Sequence, residues 1–594
     1  MTRGRVIWAA VLVALLARAI VVPTPFFSDG LSQLAYLSDS GAVSYSFQSD
    51  LDLFRFLDPD DPEIEQKMAD GALPWRFEDS QRVANFRPLA SVLMAVDHQL
   101  FGTNSLAAHV HSFLWFLLFV LVAHRLFTRI LDRRAALFAT LVTIASPATI
   151  MAIKWWSARN AALAAVFGAI ALTFYLEWQK AGGLRPMCLA LVSLALSLLS
   201  CEAGLQVFAF MVAAALVQAR HNIVRAAKGI APAVVMVLIY FVARSRLGYG
   251  IANNALYVNP TSEPAEFLAN VADKWHVAFS GSVFNAVGDS AVSPAPLWVM
   301  VPLLAALGFV TAVAVRRAIF DGDHKKTSLW LWLCIGSAAA LLPCFASRST
   351  LRPWTFIIPQ LGIFALLASI VTTAWSSRAS RQSLRLKAVR ATAAGLVLLT
   401  CVAIPARTHW RTLKGTAQAQ EKESADFRYR QFPAAVRGMI TPQVKRVVLL
   451  QSPKVALPAG ILRLWYGLDL PADTTTFTCS DIHAPGRSLT RIAPDTLRLT
   501  STEPLVRAND MFRYDERMPL RDGQRFDLDQ VAVTIGELRD WTSPDGDLTL
   551  ARPHAADFRF NAPLDDATLL LSWTPDGTFA HVPLPPVGQT VRLD

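Results

Sequence analysis

The sequence predicts a polytopic α-helical membrane protein that carries a folded domain after its last helix. Hydrophobic residues make up 53% of the 594-residue chain and charged residues only 17%, and the mean hydropathy is +0.36. Soluble proteins of this size are less apolar than this. The apolar residues also fall in long runs separated by short basic clusters, which is typical of helices that cross a bilayer.

Runs of roughly 17 to 25 residues, the length that spans the hydrocarbon core, occur at about eleven places in the chain. The first run follows Arg3 and Arg5, and no small-x-small cleavage site comes after it. We therefore predict a retained first helix rather than a signal peptide. The predicted spans lie near residues 5–22, 106–124, 134–152, 160–177, 186–201, 203–219, 229–243, 295–315, 328–344, 354–374 and 389–405.

The basic residues between these runs predict the orientation of the chain, because cytoplasmic loops carry more Lys and Arg than outer loops. With the N-terminus in the cytoplasm, the basic clusters fall inside and the chain after about residue 406 lies outside, in the periplasm if the membrane is a bacterial inner membrane. The net charge of +11 is divided among these clusters rather than gathered on one face, so no nucleic-acid partner is predicted. The clusters are Arg125, Arg129, Arg133 and Arg134; Arg220, Arg225 and Lys228; Arg316, Arg317, Lys325 and Lys326; and Arg378, Arg381, Arg385, Lys387 and Arg390.

Two segments are too polar for the bilayer, and both are predicted to face outward. Residues 23–105 form a long acidic loop, which we assign to a transmembrane domain over residues 1–410, and residues 411–594 form an outer domain. A loop of this length is usually functional. In the outer domain we predict helices near 417–440 and 458–467 and strands at 444–451, 495–501, 528–536, 557–561 and 568–584. Together with a hairpin turn at Asp576-Gly577, they indicate a mixed α/β or β-rich fold.

The cysteine and histidine residues predict no metal site. Of the six Cys, only Cys479 lies in the tail, and the others lie in or beside apolar runs. Neither a disulfide framework nor a zinc motif can be built from that spacing. His554 and His581 of the tail also lack metal-ligand spacing. We predict no cofactor, and a requirement for a divalent metal is left open.

Asp29 is the first candidate for chemistry. It lies in Phe26-Phe27-Ser28-Asp29-Gly30, within a turn or two of the outer end of the first predicted helix. A carboxylate at that interface could accept the proton of an acceptor hydroxyl. The alternative is a solvated loop acid or helix cap, since most Asp residues in such places have that role.

Glu202 is the second candidate, because it interrupts an apolar run from Pro186 to Val217 that is too long for one helix. The run suits two short helices joined by a tight turn, and an acid at membrane depth usually has a function or a charged partner. Alternatively, Glu202 is a turn residue in contact with outer water, and Gly204 fits such a turn equally well.

Cations flank the predicted outer helix ends, against the usual bias. An anion such as a lipid phosphate could explain them, because Arg and Lys bind phosphate oxygens. The alternatives are snorkelling to lipid headgroups and pairing with the acidic loop. Trp155, Trp156 and Trp354 lie beside these cations, where an interfacial belt is expected and where a sugar could also stack. The cations are Lys154, Arg159, Arg244, Arg246, Arg348 and Arg352.

An ordered set of short motifs runs through residues 1–410. The motifs are Phe86-Arg87-Pro88-Leu89, Asp97, Phe101-Gly102-Thr103-Asn104-Ser105 with His109, Trp155-Trp156-Ser157-Ala158-Arg159-Asn160, Ser200-Cys201-Glu202, and Arg352-Pro353-Trp354-Thr355-Phe356-Ile357-Ile358-Pro359. Each motif is weak alone, and the order makes the set moderately specific. The set resembles the GT-C superfamily of membrane glycosyltransferases and is similar to its branch of protein O-mannosyltransferases and transmembrane TPR-bearing O-mannosyltransferases.

The resemblance implies a GT-C fold and transfer of a sugar from a polyprenyl-phosphate donor to an acceptor hydroxyl of a protein, lipid or glycan, with inversion. It implies Asp29 as the general base. It also implies a donor-binding set and a supporting set of residues. The donor-binding residues are Arg348, Arg352, Arg159, Lys154 and Arg244, and the supporting residues are Glu202, His109, Arg87 and Trp155.

Several positions depart from the family pattern. Cys201 stands where the branch has Lys, and the first-loop acid pair is only Ser28-Asp29. The Asn and second His expected after His109 are replaced by Ser112 and by Trp115 or its neighbours. The tail has no TPR repeats. A changed donor or acceptor, a transporter or flippase of lipid-linked sugar, a polysaccharide polymerase or ligase, and a non-catalytic scaffold are therefore the alternatives.

Overall fold

The structure is a computed structural model that divides into two compact units. We call the first the helical unit; it comprises Met1–Phe26, Phe86–Gly248 and Asn259–Ala419. The second, the sheet unit, comprises Phe27–Asn85, Tyr249–Val258 and Gln420–Asp594. The structure describes residues 15, 18–19, 21–39, 44–219, 222–284, 297–320, 323–348, 350–375, 395, 431–452, 458–481, 486–506, 512–542, 549–565 and 567–593.

The helical unit is built from helices, several of which are joined by single 3₁₀ turns. The apolar runs predicted between residues 106 and 374 fall on helices, except that the run at 134–152 is divided between Arg133–Ala145 and Ile150–Lys154. The runs at 5–22 and 389–405 fall mostly outside the described residues. The helices are Pro88–Phe101, Ser105–Ile130, Arg133–Ala145, Ile150–Lys154, Arg159–Ala181, Leu184–Ser200, Gly204–Ala219, Ile223–Arg246, Pro264–Val283, Leu297–Phe320, His324–Leu341 and Ile357–Trp375. The 3₁₀ turns are Pro147–Thr149, Trp156–Ala158, Leu342–Ala346 and Pro353–Phe356.

Within the described residues, 5 helical segments are long and apolar enough to cross a membrane. Arg133–Ala145 and Pro147–Lys154 together make one further candidate, bent by 53°. The helices Leu184–Ser200 and Gly204–Ala219 are apolar but shorter. The count of about eleven spans therefore stays a prediction. The 5 segments are Ser105–Ile130, Trp156–Ala181, Ile223–Arg246, His324–Ala346 and Pro353–Thr373.

Small residues allow these helices to approach closely, as is usual where apolar helices pack in lipid. A Cβ on Gly336 would lie 2.4 Å from the Phe210 ring, and a Cβ on Gly362 would lie 2.5 Å from it. The ring of Phe210 is thus held between two glycines on neighbouring helices. The central helix Arg159–Ala181, rich in Ala, is buried against Leu184–Ser200 and Ser105–Ile130 for the same reason.

The predicted break in the long apolar run is confirmed. One helix ends at Ser200 and the next begins at Gly204. The amide of Gly204 donates to the Cys201 carbonyl, which closes the turn. A Cβ on Gly204 would lie 2.7 Å from the Leu198 backbone nitrogen, so the turn needs a glycine at this position.

The sheet unit contains two larger sheets and a small one. The six-stranded sheet is antiparallel, with the order Thr590–Arg592, Ser488–Ala493, Thr496–Thr500, Thr549–Phe560, Val531–Thr542 and Arg525–Asp527. The four-stranded sheet is mixed, with the order Phe579–His581, Thr568–Trp573, Arg446–Gln451 and Thr475–Thr478, of which the last three are parallel. The small antiparallel sheet pairs Arg55–Leu57, Arg82–Ala84 and Gly250–Ala252. Short helices lie at Asp29–Leu37, Ile64–Ala69, Ala434–Gly438 and Ala459–Tyr466.

This arrangement confirms the predicted fold of the tail as a mixture of helices and sheets. The predicted strand at 444–451 and helix at 458–467 are present as Arg446–Gln451 and Ala459–Tyr466, and together with Thr475–Thr478 they form a β-α-β crossover. The predicted turn at Asp576-Gly577 joins two antiparallel strands, with Gly577 at φ +82°. Most of the helix predicted at 417–440 lies outside the described residues.

The first loop shares a hydrophobic core with the tail. Trp75 is buried in that core, and its indole nitrogen donates to the Cys479 carbonyl at 3.1 Å. The next residue, Arg76, pairs with Asp481 at 2.9 Å. Residues 27–85, which the sequence assigned to the transmembrane domain as a loop, are therefore packed within the sheet unit.

Candidate functional site

The candidate site of the helical unit lies at one end of its helices, where four chain segments meet. The turn before Arg159 packs against the turn after Arg352, with the rings of Trp155 and Trp354 edge-to-face at 5.1 Å. At the start of the helix Gly204–Ala219, the side-chain amide of Gln206 donates to the Thr355 carbonyl at 2.9 Å. Segments about 200 residues apart in sequence are thus joined at one helix end by close-range contacts.

Asp97 and Arg159 form a buried ion pair at this end. Their side chains are each 1% exposed, and Arg159 Nη1 lies 2.5 Å from Asp97 Oδ2. The indole nitrogen of Trp156 donates to the same oxygen at 2.9 Å. Burial raises the pKa of Asp97, but the hydrogen bond from His111 and the charge of Arg159 outweigh burial and lower that pKa below its ordinary value.

His111 extends this cluster through contacts at both ring nitrogens. The Trp115 indole nitrogen, which can only donate, lies 3.0 Å from His111 Nε2. Nδ1 lies 2.5 Å from Asp97 Oδ1 and 3.3 Å from Arg159 Nη1. His111 therefore helps to orient the Asp97 carboxylate.

His109 connects the start of one helix with the turn at Lys154. Its ring is fully buried, with Nδ1 2.6 Å from the Ser105 carbonyl and Nε2 2.8 Å from the Lys154 carbonyl. The ring of Phe26 packs against it at 5.7 Å. His109 thereby holds the backbone of Lys154, at the end of the helix Ile150–Lys154, in place.

Glu202 is partnered by Arg87 in the turn between the two short helices. Arg87 Nε donates to Glu202 Oε2 at 2.8 Å, and the two side chains are 19% and 25% exposed. The Cys201 thiol lies 3.8 Å from the same carboxylate oxygen. The Tyr240 ring packs against the ring of Phe86, the neighbour of Arg87, at 5.9 Å. The predicted supporting pair, Arg87 and Glu202, is therefore in direct contact.

Arg348 pairs with carboxylates of the helix Pro264–Val283 and its N-cap rather than with the residues described above. It forms an ion pair with Glu263 at 2.8 Å and another with Glu266. Lys274 donates to the carbonyl of Arg348, which ties the same turn to the helix Pro264–Val283. Two carboxylates balance the charge of a residue that the resemblance assigned to phosphate.

Asp29 belongs to the sheet unit, where it is the first residue of the helix Asp29–Leu37. The hydroxyl of Tyr45 donates to Asp29 Oδ1 at 2.8 Å. Burial and the neighbouring Asp29 charge raise the pKa of Tyr45 well above its ordinary value, so the phenol stays protonated as a donor. Ser28, just before, has φ +53°, a conformation that is strained for a residue other than glycine.

The predicted residues thus fall into two sets. In the helical unit, His109, Lys154 and Trp155 lie at the turn that packs against the one after Arg352, while Arg159 pairs with Asp97 and Arg87 pairs with Glu202. Arg348 pairs with Glu263 apart from them, and Asp29 belongs to the sheet unit. Sequence reasoning missed His111, Tyr240 and Tyr45. The His111–Trp115 pair carries a local signal, since residues four apart share a helix face, but nothing local pointed to the two tyrosines. Among the described residues, no three His, Cys, Asp or Glu side chains are grouped so that they could hold a metal ion.

No protein-family model matches this chain, and neither does any curated protein. Among solved structures, ArnT from Cupriavidus metallidurans in the apo state is 15% identical, with a TM-score of 0.42, over 80% of this chain and 86% of that chain. The same protein bound to undecaprenyl phosphate is 16% identical with a TM-score of 0.38. The Archaeoglobus fulgidus oligosaccharyltransferase tethered to an acceptor peptide is 13% identical, with a TM-score of 0.37, over 79% of this chain and 64% of that chain. Similarity at this level assigns no activity.

Proposed function

We propose that the protein is a membrane glycosyltransferase of the GT-C type, which moves a sugar from a polyprenyl-phosphate donor to an acceptor hydroxyl. One structural observation supports the sequence resemblance. The turns that carry Lys154 and Arg352 pack against each other at one end of the apolar helices. Two cations at such a helix end suit the phosphate of a lipid whose chain lies along the helices.

The proposed reaction is an in-line displacement at the anomeric carbon. The acceptor oxygen forms the new bond, the bond between the sugar and the phosphate oxygen breaks with inversion, and the polyprenyl phosphate leaves with the electron pair. Lys154 and Arg352 neutralise the charge on the departing phosphate. The acceptor proton passes to a carboxylate, for which the resemblance proposes Asp29.

The surroundings of Asp29 support this role. Tyr45 holds the carboxyl group in one orientation through a hydrogen bond, and Tyr45 itself is fixed edge-on against Phe47 and Phe56. A general base works best when its geometry is fixed before the acceptor arrives. We propose Tyr45 as a positioning residue for Asp29.

Arg159 and Arg348 are proposed as structural cations rather than phosphate contacts. Each is paired with carboxylates in the helical unit, at Asp97 and at Glu263 with Glu266, respectively. Binding a phosphate would require these pairs to break at a cost of several kcal/mol. His109 and Trp155 are proposed to hold the Lys154 turn in position.

Binding of the lipid tests the proposed role of Lys154 and Arg352 as phosphate contacts. Lys154→Ala and Arg352→Ala should each weaken binding of undecaprenyl phosphate to the protein in nanodiscs roughly 10- to 100-fold, the value of a charge-assisted contact. Arg185→Ala is the matched control, because this exposed arginine lies at the other end of the helix that precedes Glu202. Equal affinity for the lipid in the wild type and both variants would contradict the phosphate assignment.

Sugar-transfer activity tests the proposed role of Asp29 as the general base. Asp29→Asn should reduce sugar transfer about 10²- to 10⁴-fold without reducing lipid binding. Tyr45→Phe should reduce kcat about 2- to 10-fold with KM unchanged, since one hydrogen bond to the base is lost. Tyr36→Phe is the control, because Tyr36 also contacts Phe47 edge-on. Full transfer by Asp29→Asn would exclude this residue as the base, and lipid binding without any transfer would favour a scaffold.

A further inference from the structure

A second group of polar atoms lies beside the Arg87–Glu202 pair. Tyr240 is 5% exposed, and its hydroxyl has no hydrogen-bond partner among the described residues. Glu202 Oε1 and Arg244 Nε are also buried, and neither atom has a hydrogen-bond partner among the described residues. Tyr240 and Arg244 are four residues apart on the helix Ile223–Arg246 and therefore share one face.

Buried polar atoms without partners cost about 1–3 kcal/mol each, so three of them together mark a place for bound water or for polar groups of a ligand. The ring of Phe86, next to Arg87, packs against the Tyr240 ring at 5.9 Å, which brings the helix that carries Tyr240 and Arg244 to the Arg87–Glu202 pair. Arg87 Nε and the Cys201 thiol both approach Glu202 Oε2. Oε1 therefore remains for a different partner.

The chemistry of the three atoms restricts the ligand. An ionised Glu202 only accepts hydrogen bonds, Arg244 only donates, and Tyr240 can do either. A sugar-linked phosphate diester offers only acceptors and cannot satisfy Glu202. An ammonium group offers only donors, and it would be repelled because two guanidinium groups outnumber one carboxylate. A hydroxyl group donates to Glu202 and accepts from Arg244, so it fits both.

We propose that Glu202, Tyr240 and Arg244 form a subsite that binds hydroxyl groups of a sugar. This subsite rests on the proposed function and adds a site for the sugar to it. The sugar-binding residues are separate from Lys154 and Arg352, the cations proposed to bind the phosphate. The sugar hydroxyls can belong to the donor or to a glycan acceptor. Both sources present the same pattern of donors and acceptors.

Tyr240→Phe tests the subsite, because it removes only the hydroxyl. We would measure binding of three probes to the protein in nanodiscs: polyprenyl phosphate, a panel of polyprenyl-phosphate hexoses, and free oligosaccharides. The variant should bind a sugar-bearing probe roughly 2- to 10-fold more weakly, the value of one neutral hydrogen bond, and should bind polyprenyl phosphate as the wild type does. Weaker binding of the lipid hexose alone identifies the donor sugar, and weaker binding of the oligosaccharide alone identifies the acceptor.

Tyr175→Phe is the matched control for loss of a buried hydroxyl. Its hydroxyl donates to the carbonyls of Gly229 at 2.9 Å and Met211 at 3.1 Å. The control should therefore lower the thermal stability and leave all affinities unchanged, whereas Tyr240→Phe should not lower the stability. Unchanged binding of every probe by Tyr240→Phe, or equal loss for the sugar-free lipid, would overturn the subsite. If the wild type binds no polyprenyl phosphate, the proposed function fails and the subsite fails with it.

Discussion

Removing the charge of Arg159 should destabilise the helical unit more than any exposed substitution at the same end. Arg159→Met keeps the length of the side chain but leaves the Asp97 carboxylate, 1% exposed, without its cation. At a charge separation of about 4 Å and an effective dielectric constant of about 20, the lost attraction is about 4 kcal/mol. Measured losses of one partner of a buried pair are about 3–5 kcal/mol. We therefore expect a loss of about 3–5 kcal/mol in the free energy of unfolding.

A double-mutant cycle separates the ion pair from packing. Asp97→Asn alone leaves the Arg159 cation buried and should cost a similar free energy. The double variant Asp97→Asn/Arg159→Met buries no charge, and the introduced amide oxygen still accepts from Trp156 in the geometry that Asp97 uses. The double variant should thus recover at least about 2 kcal/mol relative to either single variant.

The assay is unfolding by dodecyl sulfate in mixed micelles, followed by far-ultraviolet circular dichroism, which reports mainly on the helical unit. The control is Arg185→Met, an exposed arginine whose replacement should change stability by less than about 0.5 kcal/mol. If Arg159→Met were as stable as the control, or if the effects of the two single variants were additive, the buried-pair reasoning would be refuted.

Three further outcomes follow for other parts of the chain. Gly71→Ala should prevent the first loop from packing with the tail, because Gly71 has φ +67° and a Cβ would lie 1.7 Å from the Thr476 carbonyl oxygen; limited proteolysis should then cut the loop. Gly204→Ala should lower the thermal stability by displacing the turn that carries the subsite acid, whereas alanine should be tolerated at Gly308, where the helix Leu297–Phe320 leaves open space for a Cβ. Burial raises the pKa of Asp61, but the hydrogen bonds from Lys67 (2.6 Å), the Glu63 amide and Ser46 together outweigh burial and lower the pKa below its ordinary value. The ionised Asp61 carboxylate therefore stabilises the folded protein at pH values above its ordinary pKa, and this stabilisation is lost as the pH falls through the pKa of the folded state. Asp61→Asn should be less stable than the wild type at neutral pH and equally stable in strong acid.

The sequence predicted the parts of the site that depend on local pattern. The break around Glu202 follows from an apolar run that exceeds one span, and a glycine stands at the turn. The positions of Lys154 and Arg352 at helix ends follow from charges that border apolar runs. The partners of these residues did not follow, because Asp97 and Arg159 are 62 residues apart and Arg87 and Glu202 are 115 apart. The pairing of Arg348 with Glu263 also depends on a contact between segments far apart in sequence.

Composition and periodicity alone determined the apolar helices between residues 106 and 374 and most strands of the tail, because burial in lipid or in a sheet core imposes a repeating apolar pattern along the chain. The more polar helix Pro264–Val283 was not predicted. Only the tertiary structure decided that residues 27–85 share a core with the tail, since the contact of Trp75 with Cys479 joins positions 404 residues apart. The same is true of the group formed by Glu202, Tyr240 and Arg244. Contacts between distant segments depend on how helices and strands pack, and no pattern within one segment records them.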